Sequence, residues 1–284
     1  MWYVRWTDIG SRDNIVNDTL IDVNVGMKAD LNDDLSFEAY YTFSDYRSTS
    51  IGKYYLSYGG FAENVAEGIT DYDQYVANLK ATTLNDDRQN LQKLFAGIQY
   101  NMFEMAGGQA ASYFSVETFD ITYQADVDAQ SEAGLVGGSS GNSAQGNRSV
   151  KAVSAEAILP VSDYLEIDLA VRYDDYDDFG SEVSPRVGAT FTMVDNLVLK
   201  ASYGQGFRAP DMSDLYGATS FSAESATDYY GCQLDGVSEA DCPDRQFDTY
   251  IGSNPDLGAE TSETMSIGAV YTYNDNWVGK VNYV

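Results

Sequence analysis

Leu165-Glu-Ile-Asp-Leu-Ala-Val-Arg-Tyr173 alternates without a break. Leu165, Ile167, Leu169, Val171 and Tyr173 are apolar, and Glu166, Asp168, Ala170 and Arg172 fall between them. Successive side chains of a strand point to opposite faces, so this stretch is a β-strand with one greasy and one wet face. The pattern returns in Val183, Pro185, Val187, Ala189 and Phe191, and again in Leu197, Leu199, Ala201 and Tyr203. A tight polar turn, Met193-Val-Asp-Asn196, joins the second and third strands, and an acidic loop from Asp174 to Gly180 joins the first and second. A soluble antiparallel sheet would show the same alternation. Three features favour a transmembrane β-barrel: strands near the length that crosses a bilayer, aromatic residues toward strand ends, and connections that alternate short and long.

Charge narrows the partners. The chain of 284 residues has 16 basic and 44 acidic side chains, a formal net charge of −28. Phosphate recognition needs a positive surface, so nucleic acid is excluded as a partner. With no His and only two Cys, the usual zinc ligand sets are missing, and no metal site is expected from them. Cys232 and Cys242 sit in a polar, Gly- and Asp-rich stretch, where a loop disulfide of an oxidising compartment is expected and a pair of free thiols is the other reading. No window has the apolar length of a transmembrane helix, and Met1-Trp-Tyr-Val-Arg-Trp6 does not open a signal peptide. Trp277–Val284 stops within an alternating strand. The chain is therefore expected to be an internal piece of a barrel, truncated at both ends.

Along the chain, Met1–Trp6 reads as a strand end and Thr7–Asp18 as a loop. Ile21, Val23, Val25 and Met27 begin a strand, and Leu35–Tyr46 is a Tyr- and Phe-rich one. Arg47 to about Arg88 reads as a long insertion, with a short helix within Tyr72–Leu84. Leu94, Ala96, Ile98, Tyr100 and Met102 restart the alternation. Within Ala110–Gln124 the apolar parity slips from Phe114 and Val116 to Phe119, Ile121 and Tyr123, which predicts a β-bulge. Gly134–Gly146 has the composition of a flexible loop; as a phosphate cradle it lacks the Lys-Ser/Thr ending and a following helix. Val150–Leu159 and Thr261–Tyr273 are further strands, for roughly eleven in all. Short turns are expected at 30–34, 104–109, 160–163, 193–196 and 274–276, with long loops at 7–18, 47–88, 128–147, 174–182 and 208–260 on the opposite side.

Three motifs in order carry a resemblance: Ser184-Pro-Arg-Val-Gly188, Leu199-Lys-Ala-Ser-Tyr-Gly-Gln-Gly-Phe-Arg-Ala-Pro210 and Asn254-Pro-Asp-Leu-Gly-Ala-Glu-Thr-Ser262. They resemble the barrel of a TonB-dependent outer-membrane receptor. In that family a strand ending in Gly-Phe-Arg-Ala-Pro leads into an extracellular loop, and an Asn-Pro-x-Leu-x-x-Glu-x-Ser element starts the return strand. Gly206, Phe207, Arg208, Ala209 and Pro210 match the first, and Asn254, Pro255, Leu257, Glu260 and Ser262 the second. The resemblance implies an all-β, 22-stranded barrel of which this chain is about half, and a plug domain lying outside it. It also implies uptake powered by TonB–ExbB–ExbD through that plug, outer-membrane lipid and lipopolysaccharide around the wall, and a nutrient ligand on the loops.

These motif residues read as structural. Pro210 and Pro255 set the chain's exit and re-entry, and Arg208 and Glu260 stand at the two feet of one loop. Candidate ligand contacts are loop aromatics: Tyr72, Tyr75, Tyr216, Phe221, Tyr229 and Tyr230. Glu166, Asp168, Arg172, Arg186 and Lys200 point to the lumen, to pair with one another or hold the plug. The run Asp174, Asp175, Asp177 and Asp178 could supply oxygens to Ca2+ at 174–178, but it lacks EF-hand spacing and a solvated acidic loop is the other reading. No cofactor is expected otherwise. Nothing places paired carboxylates across a cleft, so an enzyme is not expected. The reading is active transport of a scarce nutrient (saccharide, peptide or metal complex), with a passive porin or a surface structural barrel as alternatives. The acidity disfavours an anionic ferric siderophore, because like charges repel at the mouth.

Overall fold

Alternation along each strand leaves one apolar and one polar row, and backbone pairing aligns those rows into two faces. The computed structural model describes residues 6–138, 141, 143–274 and 277–284, without the side chains of 220–223, 248 and 274. A 3-10 turn at Thr7–Ile9 precedes β1 (Asp13–Asn32) and β2 (Leu35–Ser57). Helices α1 (Tyr58–Glu67) and α2 (Tyr72–Asn78) follow, then β3 (Lys80–Met105), β4 (Gly108–Val127), α3 (Ala129–Glu132) and β5 (Val136–Gly137). The chain continues through β6 (Ala144–Ser162), β7 (Leu165–Tyr176), β8 (Gly180–Val194) and β9 (Leu197–Arg208). After β9 come α4 (Met212–Tyr216), β10 (Ser220–Thr227), α5 (Tyr229–Leu234), a 3-10 turn at Glu239–Asp241 and β11 (Asp244–Ile251). β12 (Glu260–Asn274) and β13 (Trp277–Tyr283) end the described chain.

Ten long strands pair antiparallel in the order β1-β2-β3-β4-β6-β7-β8-β9-β12-β13. β5 adds two residues to the end of β2, and β10 and β11 form a hairpin of their own. Register carries the apolar row across the sheet: Val153↔Tyr173, Leu169↔Val187, Phe191↔Leu199 and Ala201↔Ile267. Most of these side chains stay exposed in the described chain, Val153 at 52% and Ile267 at 50%, as a lipid-facing row requires. The opposite row carries Glu38, Lys93, Glu117, Arg172, Arg186 and Lys200. No described helix is long and apolar enough to cross a membrane; the strands do the crossing.

Several expectations need correction. The strand end expected over Met1–Trp6 lies outside the described residues except for Trp6, which precedes the 3-10 turn. The loop expected over 7–18 stops at Arg12, because Asp13–Asp18 already pair with β2. The insertion expected over 47–88 shrinks to 58–79: β2 and β3 stay paired from Arg47↔Arg88 to Leu56↔Lys80. Beyond the bilayer both faces of a strand meet water, so backbone pairing goes on without apolar alternation. The same holds for 128–147, where pairing with β4 resumes at Ala144. The expected loop 174–182 is a three-residue connection, since Asp174↔Glu182 and Tyr176↔Gly180 are paired. No bulge separates Val116 from Phe119: pairing is continuous with β6 from Ala111↔Ile158 to Ala125↔Ala144, and with β3 from Asn101↔Ala111 to Asn85↔Val127. Phe119, Ile121 and Tyr123 therefore face the lumen, where Ile121 and Tyr123 line a cavity with a folded loop segment.

Candidate functional site

At the loop end, two packed assemblies and one ion-pair network define the mouth. The first assembly caps β2 and β3. Ser57 caps α1 by accepting from Gly60 N at 3.0 Å, and Asp71 caps α2 by accepting from Gln74 N at 2.9 Å. Between the helices Asn64 Nδ2 donates to Tyr75 O at 2.9 Å, and Asn78 Nδ2 to Asn64 Oδ1 at 2.8 Å. Ile9, Val76 and Leu79 form the small core, with Trp6, Leu56 and Tyr75 packed around it. Arg12 donates to Gly137 O at 2.6 Å and Tyr58 N to Leu135 O at 2.7 Å, which ties the 128–143 loop into the same cap.

The second assembly lies on the inner wall. The loop leaving β9 turns inward, and α4 buries Met212 and Leu215. Gly217 bridges to Ala144, Ala218 N donates to Ser143 O at 2.7 Å, and Asn254 N donates to Asp214 O at 2.8 Å. Gly146 leaves room for the seat: a Cβ there would crowd the Tyr216 ring and the Met212 methyl. Beside α4 a cavity of about 270 Å³ is lined by Gln89, Ile121, Tyr123, Arg148, Asp211 and Met212. This explains the parity change in β4, whose upper inner face is apolar where α4 covers it. Burial, then the charges of Asp87 and Asp211, pushes the Tyr123 phenol up; burial and then Asp178 do the same for Tyr216.

The ion-pair network lies on the same inner wall. Lys93 reaches Glu117 at 2.5 Å, and Arg172 reaches Glu117 at 3.0 Å and Asp174 at 2.8 Å. Arg148 pairs with Asp178 at 2.7 Å, with both side chains buried. Asp174 and Asp178 of the acidic run are thus each held by an arginine, and Asp177 accepts from Ser149 N at 2.9 Å. Among the described residues no three acidic side chains are placed together to hold a metal.

The aromatics singled out in the sequence do not converge. Tyr75 stacks on Trp6 at 6.0 Å and meets Phe61 edge-on, so it serves the cap's core. Tyr72 donates to Asp8 on the cap's surface. Tyr216 lies on the inner wall, while Tyr229 and Tyr230 stand exposed on α5 beside the joined Cys232 and Cys242, whose Cα atoms are 5.9 Å apart. The side chain of Phe221 is outside the described set. Arg148, Met212 and Leu215 were not singled out by the sequence, and Asp178 was singled out only as part of the acidic run; an arginine in an alternating strand gives no local sign of a partner 30 residues away.

The two motifs hold each other. Glu260 pairs with Arg208, Thr261 with Phe207 and Ser262 with Gly206 across β9 and β12. Arg208 reaches Asp211 at 2.8 Å and Glu260 at 3.3 Å, all exposed, where such pairs contribute little. Phe207 meets Tyr176 edge-on at 5.9 Å, Pro210 offers its carbonyl to Arg148, and Asn254 accepts from Asp256 N at 3.1 Å. Ala209 links these contacts, and Pro255 and Leu257 lie in the turn before β12. Residues 2–283 match the family model described as TonB dependent receptor-like, beta-barrel. The chain belongs to the TonB-dependent receptor family. It is thus a β-barrel wall of the bacterial outer membrane, with its apolar face to lipid and its charged face to the lumen. A relative from Pseudomonas aeruginosa, the ferric enterobactin receptor PirA, is 30% identical over 164 residues, which is 53% of this chain and 20% of that protein. The crystal structure of the siderophore receptor PirA from Acinetobacter baumannii superposes with a TM-score of 0.55 at 14% identity, over 94% of this chain and 42% of that one. The RagAB peptide transporter gives 0.60 at 14% identity, over 98% and 30%. The TonB-dependent receptor wall described here therefore spans less than half the length of each, and the two structures speak to its fold.

Proposed function

We propose that the receptor containing this wall imports a neutral or cationic nutrient, a saccharide, a peptide or a cationic metal complex, and takes it from outside on its long loops. In this reading TonB–ExbB–ExbD supplies the energy through a plug. The observation that carries the choice of cargo is electrostatic. The cations on the upper inner wall, Lys93, Arg148 and Arg172, are each bound to carboxylates, while Asp87 and Asp211 flank the cavity beside α4. A mouth in a chain of net charge −28 repels an anion and draws a cation. A ferric siderophore is the second reading, favoured by the likeness to a ferric enterobactin receptor.

Binding to full-length receptor decides between them. Intrinsic fluorescence would be followed during titration with ferric enterobactin, with maltooligosaccharides and with a tri-lysine peptide at equal ionic strength. Saturable binding of sugar or peptide but not of ferric enterobactin is the expected outcome; the reverse would establish the second reading. Uptake persisting in cells without TonB would sink active transport and leave a passive porin.

A further inference from the structure

The long loop after β9 could have been free of the wall, yet its first ten residues are held against it. We infer that Arg148 is a positioning residue that keeps residues 209–218 seated as a strap on the inner wall, and that releasing Arg148 lifts the strap and widens the lumen on that side. One guanidinium joins three pieces of chain. It extends from β6, its Nε donates to Asp178 in the β7–β8 connection at 2.7 Å, and its Nη2 donates to Pro210 O in the strap at 2.8 Å. Its plane lies near the Tyr176 and Phe179 rings, 5.6 and 5.5 Å from their centroids. Tyr176 in turn supports Phe207 at the strap's root. A planar fork with cation–π faces can make these contacts together, whereas a lysine's single ammonium cannot.

The seat is poised rather than locked. Asp178 Oδ1 is buried and has no hydrogen-bond partner among the described residues. A buried carboxylate one bond short is tolerable while Arg148 neutralises it, and costly once that charge goes. α4 covers the lumenal side of β6 through Met212 and Tyr216 above Gly146, so its departure would uncover Gln89, Ile121 and Tyr123. The remainder of the loop has its own two-stranded sheet, β10–β11, and can move with the strap as a unit. The inference rests on the wall's orientation in the barrel and stands whichever nutrient is carried.

Accessibility of Met212 tests it in the full-length receptor in outer membranes. Met212→Cys would be reacted with a polyethylene-glycol maleimide, with Leu79→Cys, buried in the other cap, as a separate reporter. Arg148→Ala is expected to speed labelling at 212 by about tenfold or more while 79 stays protected. Arg148→Lys should fall between parent and Arg148→Ala, because it keeps charge without the fork. If Arg148→Ala fails to assemble, Asp178→Asn and Arg148→Lys are read in the same way. Labelling at 212 within about twofold of the parent in every variant overturns the inference. So does equal exposure at 79, which would make Arg148 a general support of the outer fold.

Discussion

Gly97 lacks a side chain where Tyr113 needs the space: a Cβ there would run into the phenol, whose hydroxyl donates to Glu38 Oε1 at 2.6 Å. Gly97→Val is expected to cost about 1–3 kcal/mol by displacing the ring. Urea unfolding in lipid vesicles measures this, and the double variant with Tyr113→Ala should lose less than the two singles combined; strict additivity would mean the pair does not interact. Asp86 poses a different question. Hydrogen bonds from Arg47 and then Thr49 hold its carboxyl below the usual range, at the outer end of β2 and β3. A depressed folded value means its contribution is complete above the unfolded value, near 4 for a free Asp, and disappears as pH falls through the folded value. Amide exchange around 48–50 and 84–88, corrected for its intrinsic rate, should therefore lose protection as pH falls below the ordinary Asp range, and Arg47→Gln should flatten that dependence.

The Cys232–Cys242 bond closes a short loop over α5 and the 3-10 turn after it. The entropic model gives it about 2–3 kcal/mol, and that stabilisation is local. Reduction is expected to open 229–243 to proteolysis while the β10–β11 hairpin, with eight paired positions, stays resistant. Mass after alkylation without reduction should show no free thiol; two alkyl adducts would remove the premise. Elements crossing the bilayer were legible because lipid on one face and water on the other force a period of two, as in Leu165–Tyr173. The same strands became illegible above the membrane. Ser48-Thr-Ser50 against Asn85-Asp-Asp87 is a paired ladder with polar side chains on both faces, and it reads as a loop. The shift to Phe119, Ile121 and Tyr123 was real sequence information given the wrong cause: it marked a second covered surface, not an extra residue. The motif pair was readable as two feet of one loop, since Arg208 and Glu260 are direct neighbours. The candidate aromatics were not separable by composition, because Tyr75 in a small core and Tyr230 in open solvent have the same loop context.

At the scale of the whole wall, one labelling experiment tests sidedness. Cysteines placed at Ile167 and Leu199 should react slowly with a bulky aqueous maleimide, and those at Asp168 and Lys200 quickly; equal rates would overturn the barrel. Residues 1–284 expressed alone present β1 and β13 as unpaired edges, and a bilayer satisfies no free backbone group. They should give no heat-modifiable band in detergent, whereas the full-length receptor should. The strand lengths hold a further consequence. β3 has 26 residues and β2 has 23, while β7 and β9 have 12 each, and the short turns of all of them lie on one side. At about 3.3 Å per residue and a tilt near 45°, the rim over β3 stands roughly 30 Å higher than the rim over β7. Seen from outside, the mouth is a jug with a tall back and a low lip, and the loop 209–259 is hinged at that lip. The rim of this wall is therefore a parapet over β2 and β3 and a low passage over β7 to β9, a difference set by nothing more than the length of the strands.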